Sequence, residues 1–132
     1  MKKNILYLIL PLITLILEIL PYGAVLNFAN PEGEPRRETY SYFSLTPFGY
    51  ANFAPFITAV TTCIIIILLT VYIFAEKHRL MVFTKRLVCI CCVCSLIPLI
   101  MGLSSFSVTG LFITLSLIAQ FCVLHFTIKN QT

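Results

Sequence analysis

"ILYLILPLITLILEILPYGAVLNF", residues 5–28, decides how this chain is read, because a long apolar run is interrupted by a single carboxyl group, Glu18. At 1.5 Å per residue, a helix over Ile5–Leu26 is long enough to cross a hydrocarbon core of about 30 Å. Three further runs qualify in the same way: Phe53–Phe74, Leu87–Ser104 and Thr109–Ile128, of which the third segment of the chain is the shortest. The whole composition agrees. Of 132 residues, 59% are apolar and 11% charged, and the mean hydropathy is +0.98, well outside the range of a soluble domain.

The expected fold class is all-α: a polytopic membrane protein with four transmembrane helices in a bundle. Lipid-exposed irregular backbone is costly, whereas a helix satisfies its own polar groups. The boundaries predict a single membrane domain over 1–132, with helices at about 5–26, 53–74, 87–104 and 109–128, an external loop at 27–52 and a cytoplasmic loop at 75–86.

Basic residues set the orientation, since Lys and Arg in short flanking loops stay on the cytoplasmic side. Lys2, Lys3, Lys77, Arg79, Lys85, Arg86 and Lys129 fall on one side, and only Arg36 and Arg37 on the other, interleaved with Glu32, Glu34 and Glu38. Both termini are therefore expected in the cytoplasm of a multi-pass protein of the cell membrane. The net charge of +4 reads as topology and attraction to anionic headgroups, not as nucleic-acid binding. "MKKN" before an apolar run also has the look of a signal peptide, but the run exceeds the usual length and "PYGAVLNFA" is a poor cleavage site.

In the external loop, "NPEGEP" is turn chemistry and "TYSYFSL" reads as extended. "TPFG" predicts a type I turn, and "NFAP" starts the next helix with Asn52 as N-cap and Pro55 in the first turn. Tyr40, Tyr42, Phe43, Phe48 and Tyr50 make this loop an external aromatic surface. Rings with polar tips settle at headgroup level, so the loop is expected to fold back and cap the bundle; a platform for a partner or amphiphile is the alternative.

Glu18 belongs to a stripe of Tyr7, Pro11, Thr14, Glu18 and Tyr22 at helical spacing, the most polar face of the first helix. The fourth helix carries a matching face in Thr109, Ser116, Gln120 and Thr127, and the third a small-residue face in Cys91, Ser95, Pro98, Gly102 and Ser105. Glu18, Thr14, Tyr22, Ser116 and Gln120 thus form the candidate intramembrane polar site. A protonated Glu18 bonded to Ser116 or Gln120 is expected, with Arg36 or Arg37 reaching down from the loop as the alternative. An intramembrane carboxyl either marks a proton or cation path or pins helices together, and the structural role is the expected one. In its layout of four short apolar segments with a glutamate in the first, the chain resembles the small multidrug resistance transporters. That likeness implies proton-coupled export by an oligomer through Glu18. This chain departs from that family in its long loop at 27–52 and its lack of tryptophan.

"CICCVC", residues 89–94, places Cys89, Cys91, Cys92 and Cys94 near the depth of Cys122 and His125 on the fourth helix. Thiolates and an imidazole at i, i+3 spacing are the donors of a soft-metal site, yet cysteine is also a small apolar residue that packs well, and packing is the expected role. No metal and no cofactor are expected. All six cysteines fall in the predicted helices, so no disulfide framework is implied. No phosphate loop, HExxH or nucleophile elbow is present, and the chain has no aspartate for a catalytic triad. The expected role is a non-enzymatic accessory or structural subunit of a membrane assembly, with the lipid bilayer and another membrane protein or a second copy as partners. An oligomeric proton-coupled transporter or channel using Glu18 is the alternative.

Overall fold

A computed structural model describes residues 2–31, 33–50 and 52–131, with the side chains of residues 2–5 and 131 outside the description. Glu32, one of the expected external charges, also lies outside the described residues. The order is α1 (Lys2–Ile19), β1 (Ala24–Phe28), β2 (Arg36–Tyr40), a short α2 (Leu45–Gly49), α3 (Ala54–Ala75), α4 (His78–Met101), a 3-10 turn (Leu103–Ser105) and α5 (Val108–Gln131). The long helices close into a bundle in which α1 and α4 each pack against both α3 and α5. Three of them, over Ala54–Ala75, His78–Ile100 and Val108–Asn130, are long and apolar enough to cross a membrane, while the apolar part of α1, Leu6–Ile19, is shorter.

The first helix ends seven residues before its expected boundary at Leu26. Pro21 has no N–H to donate and disfavours helical geometry at Leu20, so the apolar run turns and continues as a strand. Ala24, Val25 and Leu26 stay buried, now in a sheet. β1 pairs antiparallel with β2 from Ala24↔Tyr40 to Phe28↔Arg36, so the loop, in which the sequence reads as extended only at "TYSYFSL", holds a hairpin.

Two further boundaries differ. "TPFG" lies in α2, where Ser44 accepts a hydrogen bond from the Thr46 N–H, and the N-cap of α3 is Phe53, not Asn52. α4 starts at His78 instead of Leu87, which shrinks the loop expected at 75–86 to Glu76 and Lys77. Glu76 makes that turn at φ 48 and donates its N–H to the Tyr72 carbonyl at 2.8 Å. Charge does not keep Arg79, Lys85 and Arg86 out of a helix.

The hairpin is tied to the rest of that end by polar contacts. Ser107 Oγ donates to the Gly23 carbonyl at 2.6 Å, the Tyr42 N–H donates to the Glu18 carbonyl at 2.9 Å, and Arg37 donates to the Phe106 carbonyl at 3.1 Å. Arg36 pairs with Glu38 at 2.8 Å. The Glu38 carboxylate also accepts the Tyr40 hydroxyl, which raises that phenol's pKa above its usual value. Neither arginine reaches Glu18. Tyr42 is 1% exposed and lies against Gly23, so it is a core residue and not part of an external surface; burial pushes its phenol upward. Tyr40 and Phe43 are partly buried against the same core, whereas Phe48 and Tyr50 are exposed. Phe28 meets Tyr50 edge-on at 5.2 Å, and Phe48 meets Phe53 and Phe56 at 6.4 and 5.5 Å.

Polar residues are buried beside an apolar core that includes Ile65, Leu69, Ile113 and Leu117, while many large apolar side chains face outward. Thr14, Glu18, Thr58, Thr62, Thr84, Ser95, Thr114 and Gln120 are buried between helices, while Ile16, Ile67, Phe74, Val93, Ile100 and Phe126 are exposed. The buried threonines are tolerable because each hydroxyl finds a carbonyl on its own helix: Thr14 to Leu10, Thr58 to Ala54, Thr62 to Thr58, Thr84 to Leu80 and Thr114 to Gly110. A water-facing surface of such apolarity would be unstable, and a lipid-facing one is not.

Candidate functional site

Glu18 stands one residue before the end of α1, on the face packed against α3, and is fully buried. Its Oε1 is 2.8 Å from Thr62 Oγ1, which is also 3.0 Å from the Thr58 carbonyl. A hydroxyl has one hydrogen, so Thr62 cannot serve both acceptors fully. Thr62 therefore shares its one hydrogen between Glu18 Oε1 and the Thr58 carbonyl. Cys91 of α4 closes on the same carbonyl, with its sulfur at 3.8 Å. Oε2 has no partner among the described residues. The expected partners on the fourth long helix are thus replaced by a threonine of α3. Thr58 and Thr62, four apart on one face of that helix, are the signal that would have revealed the pairing.

Thr14 and Ser116 do meet, at 2.7 Å, and Ser116 lies 3.4 Å from the Leu10 carbonyl that Thr14 also engages. This joins α1 to α5 one turn below Glu18. Gln120 lies a further turn along α5, 2% exposed, and neither atom of its carboxamide has a partner among the described residues. Tyr22 leaves the stripe and is 59% exposed, because α1 has ended and the helical period no longer applies to it. The structure therefore holds two separate polar contacts, Glu18–Thr62 and Thr14–Ser116, with an unfinished amide beyond them.

The cysteines do not converge. Cys91 is buried, Cys92 and Cys94 are half-buried, and Cys89 and Cys122 are exposed. His125 is exposed and packs its ring against Phe121 at 6.1 Å and Phe126 at 5.9 Å. Among the described residues, no group of three or more metal-ligating side chains is assembled. Cys89 and Cys92 instead line an apolar hollow of about 200 Å³ with Val93, Leu96, Ile118 and Phe121. Compared with known proteins, the chain matches no family model, and neither a curated protein nor a solved structure is similar to it.

Proposed function

We propose that the protein spans a cell membrane four times with both termini in the cytoplasm and serves as a small accessory or structural subunit of a membrane assembly. α1, with 18 residues, is about 27 Å long, close to the hydrocarbon thickness, and it packs as a full member of the bundle. Lys77, Arg79, Lys85, Arg86 and Lys129 gather at the end of the bundle that Lys2 and Lys3 share, opposite Arg36 and Arg37. That asymmetry supports the orientation.

The observation that carries the role is the setting of Glu18. Fully buried, bonded to Thr62 and covered by the Tyr42 segment that binds its carbonyl, it holds helices together where a transport residue would face a path. The partners of this reading are lipid and another membrane protein. Purification of the tagged chain from its own membranes in mild detergent tests it. A stoichiometric heteromeric partner is expected, and a homodimer with proton-linked ligand binding would overturn the role.

A proton-coupled transporter or channel is the second reading, favoured by the unpartnered Oε2 of Glu18. Glu18→Gln separates the two in proteoliposomes. Wild-type melting behaviour with a lost proton-linked response would favour transport.

A further inference from the structure

Along α4, Arg79, Phe83, Arg86, Ile90 and Val93 recur at intervals of three and four, so they lie on one face, and all five are exposed. The face is charged at one end only. Arg79 and Arg86 stand two turns apart around Phe83, and beyond Arg86 the same stripe is wholly apolar as far as Ile100. A hollow of about 390 Å³ opens at the charged end, lined by His78, Arg79, Val82, Phe83 and Arg86, within the roughly 300–1,000 Å³ of small-ligand sites. Neither guanidinium has a carboxylate within 4.0 Å among the described residues, where the ion pair observed is Arg36–Glu38 in the hairpin. The first turn of α4 holds no acidic residue either. Arg86 is about 10 Å further along the helix than Arg79. A cation on a spanning helix ordinarily faces the bundle interior or pairs with a protein group. Arg86 does neither, so its counter-charge has to come from outside the chain.

We propose that this face of α4 seats an anionic phospholipid, its headgroup phosphate held by Arg79 and Arg86 in the hollow and an acyl chain laid over Ile90 and Val93. The inference rests on the four-span reading, with this end of the bundle in the cytoplasm, and adds the place and chemistry of a lipid partner. A guanidinium matches phosphate oxygens in charge and in its forked geometry. Arg86 lines the same hollow as His78, eight residues before it, as a side chain running back toward the headgroups does. The cytoplasmic leaflet is the one that carries anionic lipid. Charge above and hydrocarbon below on one stripe is the pattern of a phospholipid itself. A soluble phosphate or an acidic protein segment would meet the arginines and gain nothing from Ile90 and Val93.

Photo-crosslinking of the purified full chain tests this in vesicles of equal parts phosphatidylglycerol and phosphatidylcholine. Benzoylphenylalanine is placed at Ile90 or, as a control, at Ile64, which is also exposed and lies at a similar depth on α3, about 17 Å from Ala75 against about 18 Å from His78 for Ile90. From Ile90 the ratio of phosphatidylglycerol to phosphatidylcholine captured should exceed that from Ile64 about fivefold or more, and Arg79→Gln combined with Arg86→Gln should bring the two positions level. The wild-type comparison decides even where the double variant does not fold. Equal ratios at the two positions, or an enrichment that survives in a folded double variant, would overturn the proposal. Inorganic phosphate that abolishes the enrichment at matched ionic strength would assign the hollow to a soluble phosphate and overturn the lipid seat as well. Lipid captured from both positions without enrichment at Ile90 removes this site and leaves the spanning reading standing. No lipid captured from either position would remove both.

Discussion

Glu18→Gln keeps an acceptor oxygen for the Thr62 hydroxyl and is expected to melt close to wild type. Glu18→Leu removes the link and should cost about 1–2 kcal/mol at most, since interhelical hydrogen bonds in membranes average below 1. Thr62→Val should resemble Glu18→Leu, and the double variant should lose about 0.6 kcal/mol less than the sum of the two, which thermal unfolding of all four proteins measures. Additive losses would mean that the 2.8 Å contact contributes nothing. Gly23 offers a second test of the same end of the bundle. A Cβ there would lie 2.8 Å from Tyr42 Cδ1 and 2.9 Å from Cε1, and the ring is held in place by its own backbone bond to Glu18. Gly23→Ala is therefore expected to destabilise by about 1–3 kcal/mol in a chemical-denaturation or heating series; a neutral result would show that the ring can move aside.

The elements were unequally legible in the sequence. α3 and α5 begin and end within a few residues of their apolar runs, and Pro55 sits in the first turn of α3, as its missing N–H allows. α1 and α4 were misjudged for one reason: hydropathy reports burial, not conformation. Leu20–Leu26 stays apolar as it passes from helix to strand, and Pro21 and Gly23 were the only local marks of the change. Basic residues at 79, 85 and 86 bound the apolar run but not the helix, since α4 begins at His78. At the candidate site the stripe Thr14–Glu18 was readable from spacing, but its partner was not, because helical period gives a face and leaves the neighbouring helix undetermined. The cysteine cluster follows the same logic on α4. Replacing Cys89, Cys92 and Cys94 with Ser or Ala should leave melting nearly unchanged, whereas Cys91→Ala, at a position 1% exposed, should cost about 1 kcal/mol. Stoichiometric zinc or copper in the purified wild type, lost in the replaced protein, would contradict a packing role.

For the whole molecule, the strongest test is topology. Single cysteines introduced at Glu34 and at Lys77 in a cysteine-depleted background should react with an impermeant maleimide from opposite sides, Glu34 from outside and Lys77 only after the membrane is opened. Labelling of both from one side would refute the four-span arrangement. The joining of α1 to α5 bears also on the order in which the bundle assembles. Glu18 and Thr62 are 44 residues apart, so at about 5–20 residues per second their bond can form some 2–9 seconds after Glu18 is made. Thr14 and Ser116 are 102 residues apart, and their contact waits at least about 5–20 seconds, until Ser116 has been made. α1, α3 and α4 are thus made, with one flank of α1 open, before α5 arrives. A nascent chain stopped ahead of Ser116 would keep its Glu18 anchor and expose Thr14 to lipid, a difference that quality-control factors sensitive to polar groups inside the membrane would be able to read.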